Sequence, residues 1–327
     1  MSVSAAHSQS AMRSALLECL RPEPVVVACS GGPDSLALAA VAAEHLPANG
    51  ISVSAAVVDH GLQEDSTKVA DAAADACRRL GISVVTIHRV EVRGSGGMEA
   101  AARRARRAAL LAEAKERGSR QVLLAHTKDD QAETVLLQLA RGSGTRSLSA
   151  MRPCQDPWHR PWLALSRDTV HRGAADTLAR AGVEPWDDPH NHDDAFARVR
   201  IRRTLSLIEN DLGPGITEGL ARTAALLRDD ADALDTWAQG EFDRVAHHGD
   251  GHVWVEVSDL VELPKAVRTR LIRHMHEAIV DQLALDTDDK TLTFDHVRHV
   301  EACVSRWRGQ GEVRLPGPVE EIGRAHV

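Results

Sequence analysis

Two patterns of apolar positions divide the chain. Between residues 25 and 125, apolar runs of strand length alternate with longer segments in which apolar residues recur every three or four positions. After a helix over 11–20, the spacing predicts a strand at Val25-Val26-Val27-Ala28-Cys29 and a helix over 35–45. A second strand over 51–58, a helix over 67–80 ended by Gly81, and a strand over 82–90 follow. Gly94-Ser95-Gly96-Gly97 loosens the backbone before a long helix over 98–116, and 121–125 reads as the next strand. Arg160 to Leu165 reads as one more strand, with a helix over 169–181 behind it. Strands alternating with helices predict an α/β fold: a doubly wound parallel sheet with its site along the carboxyl ends of the strands.

The pattern then changes. Leu220, Ala224, Leu227, Ala231, Leu234 and Ala238 lie on one face of a helix over 216–239. A short strand over 252–257, helices over 265–282 and 294–307, and a short strand over 312–315 complete a smaller, mainly helical C-terminal domain. Asp211-Leu212-Gly213-Pro214-Gly215 marks the expected boundary, giving domains 1–210 and 211–327.

Composition narrows the class. With 43% hydrophobic and 26% charged residues, both domains have enough apolar content to bury a core. The polar first ten residues, and the Arg13 and Glu18 that break the next apolar patch, argue against a signal peptide or membrane span and for a cytoplasmic protein. Five cysteines without a C-x-x-C pair fit a reducing compartment, each as buried filler. The net charge of −8 argues against nucleic acid as a partner, but its local distribution argues the other way. Arg103, Arg104, Arg106 and Arg107 share one helix, and Arg198, Arg200, Arg202 and Arg203 form a second cluster. Each is either a solvated face or a phosphate-binding surface. Aromatics at 3% and no Tyr disfavour base stacking on an aromatic sheet.

Two stretches carry candidate chemistry. Ser30-Gly31-Gly32-Pro33-Asp34-Ser35 joins a strand to a helix. Its glycines let backbone N–H groups close on an anion at the positive end of the helix. No Gly-Lys-Ser/Thr ending follows, so it is not a Walker A loop. Asp34 beside phosphate requires a cation between them, which implies Mg²⁺. His126-Thr127-Lys128-Asp129-Asp130-Gln131-Ala132-Glu133 follows a strand, and on a helix starting at His126 its imidazole and three carboxyls share a face. The dipole of a helix N-terminus alone favours Asp129 and Asp130 there, but not Glu133. Arg141-Gly142-Ser143-Gly144 is either a helix stop or an anion nest, and Asp59-His60-Gly61-Leu62 ends the second strand where a ligand would be met.

Ser-Gly-Gly-x-Asp-Ser resembles the PP-loop of the ATP pyrophosphatases. The ordered set around it resembles the tRNA(Ile)-lysidine synthetases over residues 25–235. The set comprises Asp59-His60-Gly61-Leu62, Glu99 to Arg106, His126 to Thr134, Arg141 to Gly144, Asp187-Asp188-Pro189-His190-Asn191 and Leu220 to Arg228. The resemblance implies ATP-dependent ligation of L-lysine to C2 of the wobble cytidine in the CAU anticodon of isoleucine tRNA, through an adenylated base. On that basis Ser30, Gly31, Gly32, Pro33, Asp34, Ser35, Asp59 and His60 bind ATP, with Asp34 holding Mg²⁺. Asp34, Asp129, Asp130, Glu133 and His126 are the catalytic candidates. Arg103, Arg106, Arg141, Arg198 and Arg200 contact phosphates of ATP or tRNA. Oligomeric state stays open, a homodimer included.

Two positions depart from the family pattern: Gln63 replaces the usual Arg, and the chain stops at Arg324-Ala325-His326-Val327, consistent with a trimmed C-terminal module. A tRNA thiolase on the same loop would be expected to carry paired cysteines. A non-catalytic tRNA-binding relative would have no use for the carboxyl groups.

Overall fold

The structure, a computed structural model, describes residues 3–61, 65–92, 97–249, 251–282, 292–309, 313–316 and 319–321. Gln63, Gly94 to Gly96, Glu312 and the last six residues lie outside them. The first part runs α1 (Val3–Glu18), β1 (Val25–Cys29), α2 (Pro33–His45), β2 (Val53–Asp59), α3 (Ser66–Arg79), β3 (Val84–Arg89) and α4 (Met98–Glu116). It continues β4 (Gln121–Leu123), α5 (Lys128–Ala140), α6 (Thr145–Leu148), β5 (Cys154–Gln155), β6 (Trp158–His159), α7 (Arg167–Arg180) and α8 (Ala197–Leu212).

Six strands form one sheet in the order β3-β2-β1-β4-β6-β5, all neighbouring pairs parallel except the β5 edge. Side-chain alternation along β1 places Val25, Val27 and Cys29 in one core and Val26 and Ala28 in another, because successive residues of a strand point to opposite faces. α1, α2, α3 and α7 fill the first core through Met12, Leu36, Cys77 and Val170; α4 closes the second through Leu110 and Ala114. The chain builds outward from β1 to β3, then returns to place β4 on the other side of β1. That reversal opens a crevice at the carboxyl ends of β1 and β4, the place where open α/β sheets bind ligands.

Three expectations are corrected. No residue of the segment read as a strand over 160–165 pairs as one; the strand β6 ends before it, at Trp158–His159. Beyond it the chain turns, with Leu163 N–H donating to Arg160 O (3.2 Å) and Leu165 N–H to Trp162 O (2.9 Å). Trp162 is buried by packing and by donating its indole N–H to Met12 O (3.1 Å), not by a ladder. Cys19 and Cys154, read as separate buried thiols, are joined by a disulfide; the fold brings their Cα atoms to 5.9 Å across 135 residues, and Cys154 is exposed. His126 is not helical. Thr127 caps α5, so the helix starts two residues later than the shared-face reading requires.

The chain separates into two compact units, Met1–Leu226 and Leu227–Val327. The division falls within α9 (Ile216–Val245) instead of at 211–215, and Lys128 ties the first turn of that helix to α5 through Glu218 (3.2 Å). The second unit adds the hairpin β7 (His247–Gly249) and β8 (His252–Trp254), then α10 (Val257–Val261), α11 (Lys265–Gln282), α12 (Phe294–Ser305), and the hairpin β9 (Val313–Leu315) and β10 (Val319–Glu321). Arg268 pairs with Glu301 at 2.6 Å in its interior while donating to the Leu260 and Leu263 carbonyls, so the buried charges are bonded. Among the described residues no helix is long and apolar enough to cross a membrane.

Candidate active site

The loop after β1 is shaped by hydroxyls and one glycine. Ser35 Oγ donates to Gly32 O (3.0 Å), accepts from Ser30 N–H (3.1 Å), and lies 3.2 Å from Ser30 Oγ. Gly31 has φ +83°, and a Cβ added there would stand 3.2 Å from Ala73 Cβ. Its carbonyl accepts the Trp186 N–H (2.9 Å), which draws the 185–188 segment over the loop. Gly32 caps α2 without a side chain, leaving the first N–H groups of a 13-residue helix facing the crevice.

Beside the loop a cavity of about 340 Å³ runs across the ends of β1 and β2, lined by Ser30, Asp59, His60, Arg106, Leu110 and Trp186 among others. Asp59 accepts from Gly61 N–H (3.0 Å) and Thr67 Oγ1 (3.1 Å). Burial works to raise its carboxyl, but bonds from Gly61, Ser66 and Thr67 hold it below the ordinary range. It is therefore an ionised acceptor that also braces its own turn. His60 Nδ1 is buried without a hydrogen-bond partner, and burial, with help from Arg106, lowers its basicity. It presents a neutral imidazole to the cavity.

The carboxylates gather on α5, and Arg167, which sequence reasoning missed, lies at their centre. Its Nη2 is 2.9 Å from Asp130 Oδ1 and 3.6 Å from Glu133 Oε1; its Nε is 3.5 Å from Asp34 Oδ2. Its backbone N–H donates to Asp129 Oδ2 (2.8 Å). Burial pulls the Arg167 pKa down, and Asp130, Glu133, Asp34 and Asp129 together push it up by more. His171 Nε2 adds a 2.7 Å contact to Asp34 Oδ1, and Arg202 Nε donates to Glu133 Oε1 at 2.9 Å. Asp130 also completes the α5 cap, accepting from Thr127 N–H (2.7 Å) and Thr127 Oγ1 (2.9 Å). Burial works to raise its carboxyl, but the Arg167 charge and the hydrogen bonds from Thr127 outweigh it, so Asp130 stays ionised.

Three of the five predicted arginines meet near His126, and two stand apart. Burial lowers the Arg106 pKa, and Arg103 and Arg198 add to the effect by repulsion. His126 is pushed down to about 3, mainly by burial, with Asp130 opposing and Arg160, Arg106 and Arg198 reinforcing. It is neutral at any working pH. Arg200 instead donates to the Asp194 and Ala195 carbonyls (2.6 and 2.8 Å), bracing the turn before α8. Arg141 is exposed at the end of α5. On α8, Arg198 and Arg202 are four residues apart and share the face toward the site, which separates them from Arg200 and Arg203.

A loop that cups anions, a cavity at two strand ends, a carboxylate cluster and a group of arginines thus converge on the sheet's reversal point. A family model described as a PP-loop domain matches residues 5–208. The tRNA(Ile)-lysidine synthase of Thermobifida fusca is 48% identical over 320 residues, covering 96% of this chain and 94% of that protein. That of Leifsonia xyli is 46% identical over 305 residues, covering 91% and 88%. Among solved structures, the U34-tRNA thiolase NcsA of Methanococcus maripaludis aligns with a TM-score of 0.55 at 19% identity, covering 68% of this chain and 79% of that one, a likeness of fold alone. Identity of this extent over nearly the whole length, on a sheet whose PP-loop sits at its reversal point, makes the chain a member of the tRNA(Ile)-lysidine synthase family.

Proposed function

We propose that this protein is a cytoplasmic ligase that converts the wobble cytidine of the CAU anticodon in isoleucine tRNA to lysidine, using ATP and free L-lysine. The observation that carries the reading is the convergence of the phosphate-cupping loop and the α5 carboxylates at neighbouring strand ends, within a family whose members are named for this reaction. Cytosine C2 is a poor electrophile, so its oxygen must first become a leaving group. Cytidine O2 attacks the α-phosphorus of ATP; the new O–P bond forms as the bond to the β-phosphate oxygen breaks, and pyrophosphate leaves. The deprotonated lysine ε-nitrogen then adds to C2, the C2–O2 bond breaks, and AMP departs with the cytidine oxygen. The nitrogen's proton passes to a carboxylate of the Asp130–Glu133 pair.

Each residue then has a task. Backbone N–H groups of the Ser30–Ser35 loop and the start of α2 hold the pyrophosphate end, and the cavity beside them takes the nucleoside. Asp34 offers carboxylate oxygens already set against Arg167 and His171, a hard donor that suits Mg²⁺; the metal, when bound there, would neutralise phosphate charge. Glu133 and Asp130 receive the lysine ammonium in place of part of the Arg167 and Arg202 charge. His126, being neutral, hydrogen-bonds without supplying an acid. Arg103, Arg106 and Arg198 meet phosphates, and the C-terminal unit reads tRNA shape.

Incubation with ATP, labelled lysine and a CAU-anticodon tRNA is expected to place the label in the wobble nucleoside. Label elsewhere in the tRNA, or only as aminoacyl ester, contradicts the reading. Two further outcomes follow from the geometry. Gly31→Ala forces a side chain into a left-handed backbone conformation costing about 1–2 kcal/mol; ATP KM should rise roughly tenfold, read by pyrophosphate release. tRNA affinity should fall steeply with salt although the chain's net charge is −8, since the arginines are gathered at one place. A flat response removes them from the tRNA contact.

A further inference from the structure

Arg160 is a buried cation that no carboxylate compensates. It leaves the end of β6 only 8% exposed. Its single side-chain hydrogen bond among the described residues runs from Nη1 to the Arg152 carbonyl (2.9 Å), and its Nε is buried without a partner. No ion pair to Arg160, Arg106 or Arg198 exists among the described residues. Removing an ion from water costs several kcal/mol unless an opposite charge repays it, so a bare buried guanidinium points to a ligand that completes it.

Its position says which ligand. β6 pairs with β4 in parallel, Leu123 opposite His159, and Leu124 N–H donates to His159 O (2.8 Å), so Arg160 stands beside the Leu124-Ala125-His126 segment. His126 Nδ1 is a second buried atom without a partner there. Every charged group felt by Arg160 is itself an arginine: burial first, then Arg103 and Arg107, bring its pKa down to about 10. Arg107 is spent on the face of Trp158, 4.6 Å from the ring centroid.

We infer that Arg160 is a phosphate-binding residue of this site, presenting its Nε edge, with the unpartnered His126 Nδ1 beside it, to a singly charged phosphodiester-type group. The guanidinium fork matches two oxygens of such a group, and the charges of Arg103 and Arg107 nearby add to the pull on an anion. Two groups of this class reach the site under the reading above: a backbone phosphodiester next to the flipped cytidine, and the α-phosphoryl group that becomes the adenylate linkage. The inference rests on that reading for the identity of the ligand alone.

The test compares wild type with Arg160→Gln and Arg160→Lys. Melting midpoints are expected to be equal to wild type or higher in Arg160→Gln, because an uncompensated buried charge is removed. If the ligand is RNA backbone, affinity for the CAU-anticodon transcript falls about tenfold in Arg160→Gln and the slope of log affinity against log salt drops by roughly 0.7–0.9. If the ligand is the α-phosphoryl group, that slope stays unchanged and single-turnover adenylation slows by about a hundredfold. Arg160→Lys recovers part of either loss. A fall in melting midpoint of several degrees or failure to fold would overturn the inference, since either makes Arg160 a brace for the Arg152 carbonyl. Transcript affinity, salt slope and adenylation all within twofold of wild type would overturn it too. Failure of wild type to label the wobble nucleoside would sink the ligase reading while leaving the transcript-binding result to stand.

Discussion

Glu133→Gln is expected to leave tRNA that is adenylated but not converted to lysidine. Glu133 is 5% exposed, and one oxygen meets both Arg202 (2.9 Å) and Arg167 (3.6 Å). The amide keeps the shape and an acceptor for Arg202 but removes the charge a cationic substrate needs. It leaves two guanidinium groups facing an incoming ammonium. Breaking a buried pair in this way costs about 3–5 kcal/mol, so the lysine step should slow by at least two to three orders of magnitude. Adenylation, which occurs at the loop after β1, should change by less than about tenfold. Single-turnover reactions with labelled ATP, followed with and without lysine, separate the two steps. Equal loss in both would make Glu133 a structural residue that anchors α8 and not the lysine partner.

Asp34→Ala is expected to abolish adenylation with tRNA affinity nearly unchanged. The carboxylate sits in the first turn of α2, next to the phosphate loop, and its partners among the described residues are His171 and Arg167, not Arg103, Arg106 or Arg198. Its own contacts, a hydrogen bond with His171 and an ion pair with Arg167, are partly exposed, where such contacts contribute at most about 1 kcal/mol to folding. The variant should therefore melt close to wild type while losing more than about a thousandfold in pyrophosphate release. Adenylated tRNA formed at the normal rate would remove Asp34 from the chemistry.

The sheet and its loop were legible because local signals agree. The all-apolar run of β1, the paired glycines and the apolar helix behind them each point to one strand-loop-helix unit. The bounds of α4 and α11 match the periodicity at both ends. Other features had a signal that the shared-face reading passed over. Thr127-x-x-Asp130 is a capping pattern, which places His126 before the helix. Ser166 caps α7, so Arg167 puts a cation at the positive end of a helix, an unfavourable choice unless acids lie opposite; here four do. Arg200 parts from Arg198 and Arg202 for a reason the sequence hides: alternate positions in a basic run look equivalent until the helix begins at Ala197 and separates them. The Cys19–Cys154 disulfide and the burial of Arg160 depend on chain segments more than a hundred residues apart or on strand neighbours, and no local pattern announces either.

The central claim is that the loop grips a triphosphate so that adenylate, and not the terminal phosphoryl group, is transferred to the base. Nucleotide products from a reaction with CAU-anticodon tRNA and lysine test it most directly. AMP and pyrophosphate should appear in equal amounts, matching lysidine formed and depending on both co-substrates. ADP and inorganic phosphate in their place would contradict the account.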